Sequence, residues 1–161
     1  MIAAISNTSP LQYLYRAGAL HWLPQLFKPV YAPTAVLSEF AEGMARGYDV
    51  PDLSTHTWLQ IVDPIHTPSE WLSLDLGPGE LAAMALALEN PTYIVLLDDL
   101  LARRTAQAAG LTVWGTLRVV LEAKSQGLIK QIEPLIVQLQ HNGMWISEPI
   151  KQRILTLAGE L

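Results

Sequence analysis

Apolar residues fall along this chain in short unbroken runs that alternate with longer stretches of helical spacing. The runs MIAAIS, PVYAP, WLQIVD, PTYIVLL and LTVWG predict five short strands, MIAAIS buried and PTYIVLL the clearest. After the first run, NTSP supplies a turn or cap with Pro10 suited to the start of a helix, and LQYLYRAGAL continues that helix to about Gly18. HWLPQLF predicts a second short helix interrupted by Pro24. Pro33 opens the helix TAVLSEFAEGMA, with Val36, Leu37 and Phe40 on one side. From Arg46 to about Thr57 the pattern weakens to loop or irregular helix, and TPSEWLSLDLGPGE is a connector broken at Gly77, Pro78 and Gly79. GELAAMALALEN is an Ala- and Leu-rich helix, and LLARRTAQAAG is a helix stopped by Gly110. Three more helices follow the last strand, in TLRVVLEAKSQGL, EPLIVQLQHNG and SEPIKQRILTLAG.

Strands that alternate with helices, and a central strand with almost no polar residue, imply a parallel sheet covered on both faces. The expectation is an α/β fold in a single domain spanning 1–161, with a core over about 1–128 and a helical extension over about 129–161. No internal repeat or low-complexity tract interrupts it.

Composition narrows the classes. Half of the 161 residues are hydrophobic, enough for a core, yet no stretch is long enough to span a bilayer. The N-terminus lacks the basic segment of a secretory signal, and without cysteine there are no disulfides or thiolate metal sites. A cytoplasmic protein is expected. The net charge of −5 argues against a broad basic face that coats nucleic acid, but not against a local grip on one strand.

In an open parallel sheet, ligands bind beyond the carboxyl ends of the strands. There the sequence places Asn7, Thr8 and Ser9 after the first strand and Asp98 and Asp99 after the fourth. Two adjacent carboxylates after an apolar strand repel one another unless a cation or arginine compensates, although either aspartate would also serve as an N-cap for the helix at Leu100. Glu80 stands in the first turn of the Ala-rich helix, where its charge suits the helix dipole, and Glu39 lies in the helix after Pro33. Taken singly each acid has an ordinary structural reading. Together they would make an oxygen-rich site suited to Mg²⁺ or Mn²⁺. His21, His56, His66 and His141 have no metal-ligand spacing, and no phosphate-binding glycine loop, dinucleotide fingerprint or nucleophile elbow occurs.

The ordered set SNTSPL, PTAVLSEF, LGPGELAAMALALE, VLLDDLLARRTAQAAGL and VWGTLRVVLEAK resembles the PIN domain superfamily of metal-dependent ribonucleases, in particular its bacterial DUF3368 group. The resemblance runs over nearly the whole chain. It implies a three-layer α/β/α sandwich around a parallel sheet, and an acidic pocket holding one or two Mg²⁺ or Mn²⁺ ions. The family's first acid falls on Asn7, the second on Glu39, the third on Glu80 and the fourth in the pair Asp98 and Asp99, with Asp99 preferred. Thr8 or Ser9 would support the pocket by hydrogen bonds. The departure is at residue 7, where most relatives carry Asp. An amide oxygen can ligate a hard cation but brings no charge and cannot act as a base.

The resemblance therefore leaves two readings. In the first, the chain hydrolyses phosphodiester bonds of single-stranded RNA, with Glu39, Glu80, Asp98 and Asp99 as the catalytic acids and Asn7 completing the metal set. Arg103 or Arg104 would then reach a phosphate, with Arg16 and Arg118 as further candidates. In the second, the site is weakened by Asn7 and the module binds RNA or a protein without cutting. A phosphoacceptor receiver domain is disfavoured, because no acid pair follows the first strand. Relatives also imply a small antitoxin partner and a homodimer. Leu135, Ile136, Leu139, Ile154 and Leu157 would either supply the dimer surface or pack on the chain's own core.

Overall fold

The structure is a computed structural model describing residues 1–161. Five strands, β1 (Ala4–Ser6), β2 (Val30–Ala32), β3 (Leu59–Ile61), β4 (Ile94–Leu96) and β5 (Thr112–Trp114), form one sheet in the order β3-β2-β1-β4-β5. Every neighbouring pair is parallel. The helices are α1 (Thr8–Arg16), α2 (Leu23–Leu26), α3 (Thr34–Ala45), α4 (Pro78–Glu89), α5 (Leu100–Ala108), α6 (Thr116–Ser125), α7 (Glu133–His141) and α8 (Glu148–Leu157). Short 3-10 turns at Leu20–Trp22, Leu53–Thr55 and Ser69–Trp71 fill the connections.

The period-two alternation of the strands divides the interior into two cores. Ala4, Ile94 and Leu96 join one buried cluster with residues of α1, α3, α6, α7 and α8, whereas Ile5, Val95 and Leu97 join another with residues of α4 and α5. That is the covering of both faces implied by an unbroken apolar β4, and the result is the α/β/α sandwich. Helix α4 is buried from Ala83 through Ala87, as a helix apolar all round should be.

Two details differ from the sequence expectation. Helix α1 begins at Thr8 rather than at Pro10, because Asn7 is already its extended N-cap residue. Leu37 is exposed on α3, while Val36 and Phe40 enter the core. Of the apolar residues in the last two helices, Leu135, Ile136, Leu139 and Ile154 are buried in the chain's own core, and Leu157 is left exposed, at 66%.

The chain runs outward from β1 to β2 and β3, then returns to the opposite side of β1 to form β4. The register Ala4↔Ile94, Ile5↔Val95, Ser6↔Leu96 aligns the carboxyl ends of β1 and β4, and the Asn7 N–H extends the ladder to the Leu96 carbonyl at 3.2 Å. This is the topological switch point at which open parallel sheets form their sites.

The C-terminal helices are fastened by one carboxylate. Glu160 Oε2 accepts from Lys124 Nζ at 2.7 Å and from the Ile132 N–H at 2.8 Å, and Oε1 accepts from the Glu133 N–H at 3.1 Å. Burial alone would raise the Glu160 carboxyl. The two N–H donors at the start of α7 and the Lys124 ammonium outweigh burial and hold it below the usual range. A depressed native value means that this stabilisation is full above the unfolded carboxylate value and fades as pH falls through the native one. Glu160→Ala should cost about 1–3 kcal/mol in urea unfolding at pH 7, and progressively less as pH falls below the usual carboxylate range toward the depressed native value.

Candidate functional site

At the carboxyl edge of β1 and β4 lie Asn7, Thr8 and Ser9, which follow β1, and Asp98 and Asp99, which follow β4, while Glu39 comes from α3 and Glu80 from α4. Asn7 follows β1 and is 3% exposed; its side chain makes no cap hydrogen bond to α1. The cap is left to the backbone, so the amide is not committed to the helix it precedes. Next to it the Thr8 hydroxyl donates to Glu39 Oε2 at 3.0 Å, while Ser9, also half-buried, makes no such bond. Glu39 reaches this point from the first half of α3, and its Oε1 accepts from the Gly79 N–H at 2.9 Å. It thus lies against the first turn of α4, where the helix dipole favours a negative charge.

Gly79 has a steric reason to be glycine. A Cβ there would run into Glu39 Oε1 and come within 2.9 Å of Asn7 Oδ1. The buried start of α4, the Asn7 amide and the Glu39 carboxylate therefore converge on one point. One position further on, Glu80 bends back so that Oε1 accepts from the Gly77 N–H at 2.9 Å. Burial pushes the Glu80 carboxyl up against the pull of that N–H, and the Asp99 and Glu39 charges push it up further. Glu39, Glu80 and Asp99 thus share one electrostatic neighbourhood.

The two aspartates have separate tasks. Asp99 is the N-cap of α5, its Oδ2 accepting from the Ala102 N–H at 2.9 Å. Asp98 turns the other way, to the start of α6. Its Oδ1 accepts from the Thr116 N–H at 2.8 Å and its Oδ2 from the Thr116 hydroxyl at 2.7 Å. Burial raises the Asp98 carboxyl, opposed by both Thr116 donors and by the nearby Arg103 guanidinium. Thr116 is fully buried and ties the ends of β4 and β5 together through Asp98. The acid pattern does not announce Thr116 or Gly79. The available signals were a Gly-Thr pair directly after a strand and a glycine just inside a helix.

The arginines divide likewise. Arg103 is half-buried beside Gly115 and Asp98, Arg104 is exposed, and neither forms an ion pair, since the chain's two ion pairs are Arg46–Glu42 and Lys124–Glu160. Arg118 lies over the Trp114 ring at 4.7 Å, and Arg16 donates to the Asp49 carbonyl at 3.2 Å in a groove beside Thr8 and Glu39.

A divalent cation held by carboxylates is the group this edge would be expected to take. The donors present do not fit it. No three or more Asp, Glu, His or Cys side chains are arranged to hold a metal ion. Each of Glu39, Glu80, Asp98 and Asp99 is engaged by a hydrogen-bond donor of the protein itself.

Comparison with known proteins agrees with this architecture. The family model described as DUF3368, PIN domain, matches residues 3–160, and the chain belongs to that family. Among solved structures, a PilT N-terminus domain protein from the hyperthermophilic archaeon Sulfolobus solfataricus P2 is similar, with a TM-score of 0.51 and 17% identity over 74% of this chain and 90% of that one. At that identity the likeness concerns the fold. No curated protein matches the chain. No helix is long and apolar enough to cross a membrane.

Because Asp98 offers both oxygens to Thr116, removing only the hydroxyl should leave one of them unpaired. Thr116→Val should lower stability by about 1–3 kcal/mol in chemical denaturation, while Thr116→Ser, which keeps the donor, should stay within about 1 kcal/mol of the parent.

Proposed function

We propose that the chain is a PIN-family module that binds single-stranded RNA at the carboxyl edge of its sheet and hydrolyses it weakly or not at all. The observation that carries this is Asn7, a neutral, buried amide at the position where the family's first acid is expected. The four remaining acids support the same reading, since each accepts from an N–H or hydroxyl of the protein, Glu39 and Asp98 through both oxygens, and no three of them form a cation site. The RNA class is supported by membership of a PIN-domain family, by the chain's resemblance to the PIN superfamily of ribonucleases and by arginines free of ion pairs beside the edge.

The nuclease reading has its own support. Three carboxylates, Glu39, Glu80 and Asp99, lie close enough to raise the Glu80 carboxyl, and a cation would relieve that repulsion. In that reading Mg²⁺ or Mn²⁺ is the cofactor. The antitoxin partner and the homodimer implied by the resemblance, and the cytoplasmic setting expected from composition, belong to both readings.

One assay separates the two. Fluorescent mixed-sequence RNA is mixed with the natural protein, Asn7→Asp and Asn7→Asp/Glu80→Gln. Binding is read by anisotropy in EDTA and cleavage on gels with Mn²⁺. The natural protein should bind in EDTA and release little product. Asn7→Asp should cleave at least about tenfold faster, the scale of one well-placed interaction in the transition state, and the added Glu80→Gln should remove the gain. Rapid cleavage by the natural protein that Glu80→Gln alone abolishes would establish the nuclease reading instead.

A further inference from the structure

Beyond Asp98 and Thr116 the edge opens into a groove of about 410 Å³ between α5, α6 and α8. Arg103, Arg118 and Arg153 line it, three of the six arginines of an acidic chain. None of the three forms an ion pair. Asp98, the carboxylate that lines the groove with them, is hydrogen-bonded through both oxygens to Thr116, and its one negative charge, close to Arg103, leaves positive charge in excess. Trp145, in the turn before α8, stands on the rim at 86% exposure, over a floor that includes Leu117 and Ile154.

Three guanidiniums set against a single carboxylate leave an excess of positive charge that suits an anion, and their planar forks match phosphate oxygens. A bare indole beside them calls for a flat apolar partner. Phosphate and stacking ring recur together in one polymer, a single-stranded nucleic acid, where bases stack on aromatic side chains and arginines follow the backbone. We propose that this groove is a nucleotide subsite, with an RNA base stacked on Trp145 and the adjoining phosphates held by Arg103, Arg118 and Arg153. The inference rests on the RNA-binding reading above and gives it a location. It also gives the helical extension a task, because Trp145 and Arg153 both come from it.

The test uses the full chain and a labelled mixed-sequence RNA 12-mer, about the length a single-strand site covers, beside an abasic strand of equal length. Trp145→Ala should weaken RNA binding about tenfold, and Trp145→Phe should recover most of that affinity. Arg153→Gln should reduce the slope of log affinity against log salt by about 0.7, the value for one fewer single-strand phosphate neutralised. Lys130→Gln, an exposed change outside the groove, should bind as the parent does. Trp145 and Arg153 are both exposed, and thermal melts of the variants should match the parent.

RNA that binds the parent but is indifferent to Trp145→Ala and Arg153→Gln would overturn the subsite and leave the RNA-binding reading standing. An abasic strand bound as tightly as RNA would overturn the stacking. A parent that binds no RNA even at about 50 mM salt, where phosphate contacts are much stronger than at physiological salt, would overturn subsite and reading together. Sedimentation showing a dimer that Trp145→Ala dissociates, with RNA binding unchanged, would assign the groove to a second copy of the chain and overturn the proposal.

Discussion

The pairing of β1 with β4 is the contact on which the rest depends. These strands lie far apart in the chain, and their parallel register brings Ser6 opposite Leu96. That single alignment places Asn7 beside the start of the Asp98–Asp99 pair and sends α1 and α5 away from the same edge. It also makes the switch point, because the chain winds outward on one side of β1 and returns on the other. Glu39 and Glu80 are then added from helices whose positions follow from the two cores. Gly79 is what the close approach requires, since a side chain there would separate α4 from Asn7 and Glu39.

The fold was legible because the strands are nearly pure. An apolar run such as PTYIVLL can be satisfied only by burial on both faces, and the structure divides it residue by residue, Ile94 and Leu96 to one core and Val95 and Leu97 to the other. The gathering of acids at one edge was equally legible, because strand ends in a parallel sheet lie together. What each acid does there was not. Whether a carboxylate faces outward or accepts a bond from a distant backbone N–H depends on contacts across the chain, as between Glu39 and Gly79 or Asp98 and Thr116. Leu37 shows the same limit within a helix: its spacing suited the core, and the packing of Val36 and Phe40 turned it outward.

The last helices illustrate how one segment divides its residues between stability and surface. Leu135, Ile136, Leu139 and Ile154 close the larger core, and Glu160 locks α7 onto α6. Some of the apolar residues left over are grouped. Trp145, Ile150 and Leu157 border the same groove as three arginines. In a chain otherwise rich in acid, that coincidence of uncovered apolar surface and unpaired positive charge marks a surface selected for contact rather than for packing.

Residue 7 decides how the acidic edge is balanced. An aspartate there would be buried, next to Glu39 and near charges that already raise Glu80, and a buried carboxylate without a partner is strongly disfavoured. Without a cation it would be pushed toward its protonated form. The amide keeps nearly the same shape and adds no charge, so the edge can rest on hydrogen bonds from Thr8, Gly77, Gly79 and Thr116 instead. The same substitution removes the negative charge that would hold a metal tightly and lessens the repulsion that a phosphate would meet on approach. In the proposed reading, stability without a cation and tolerance of an anionic strand would both follow from one atom's change, from a carboxylate oxygen to an amide nitrogen.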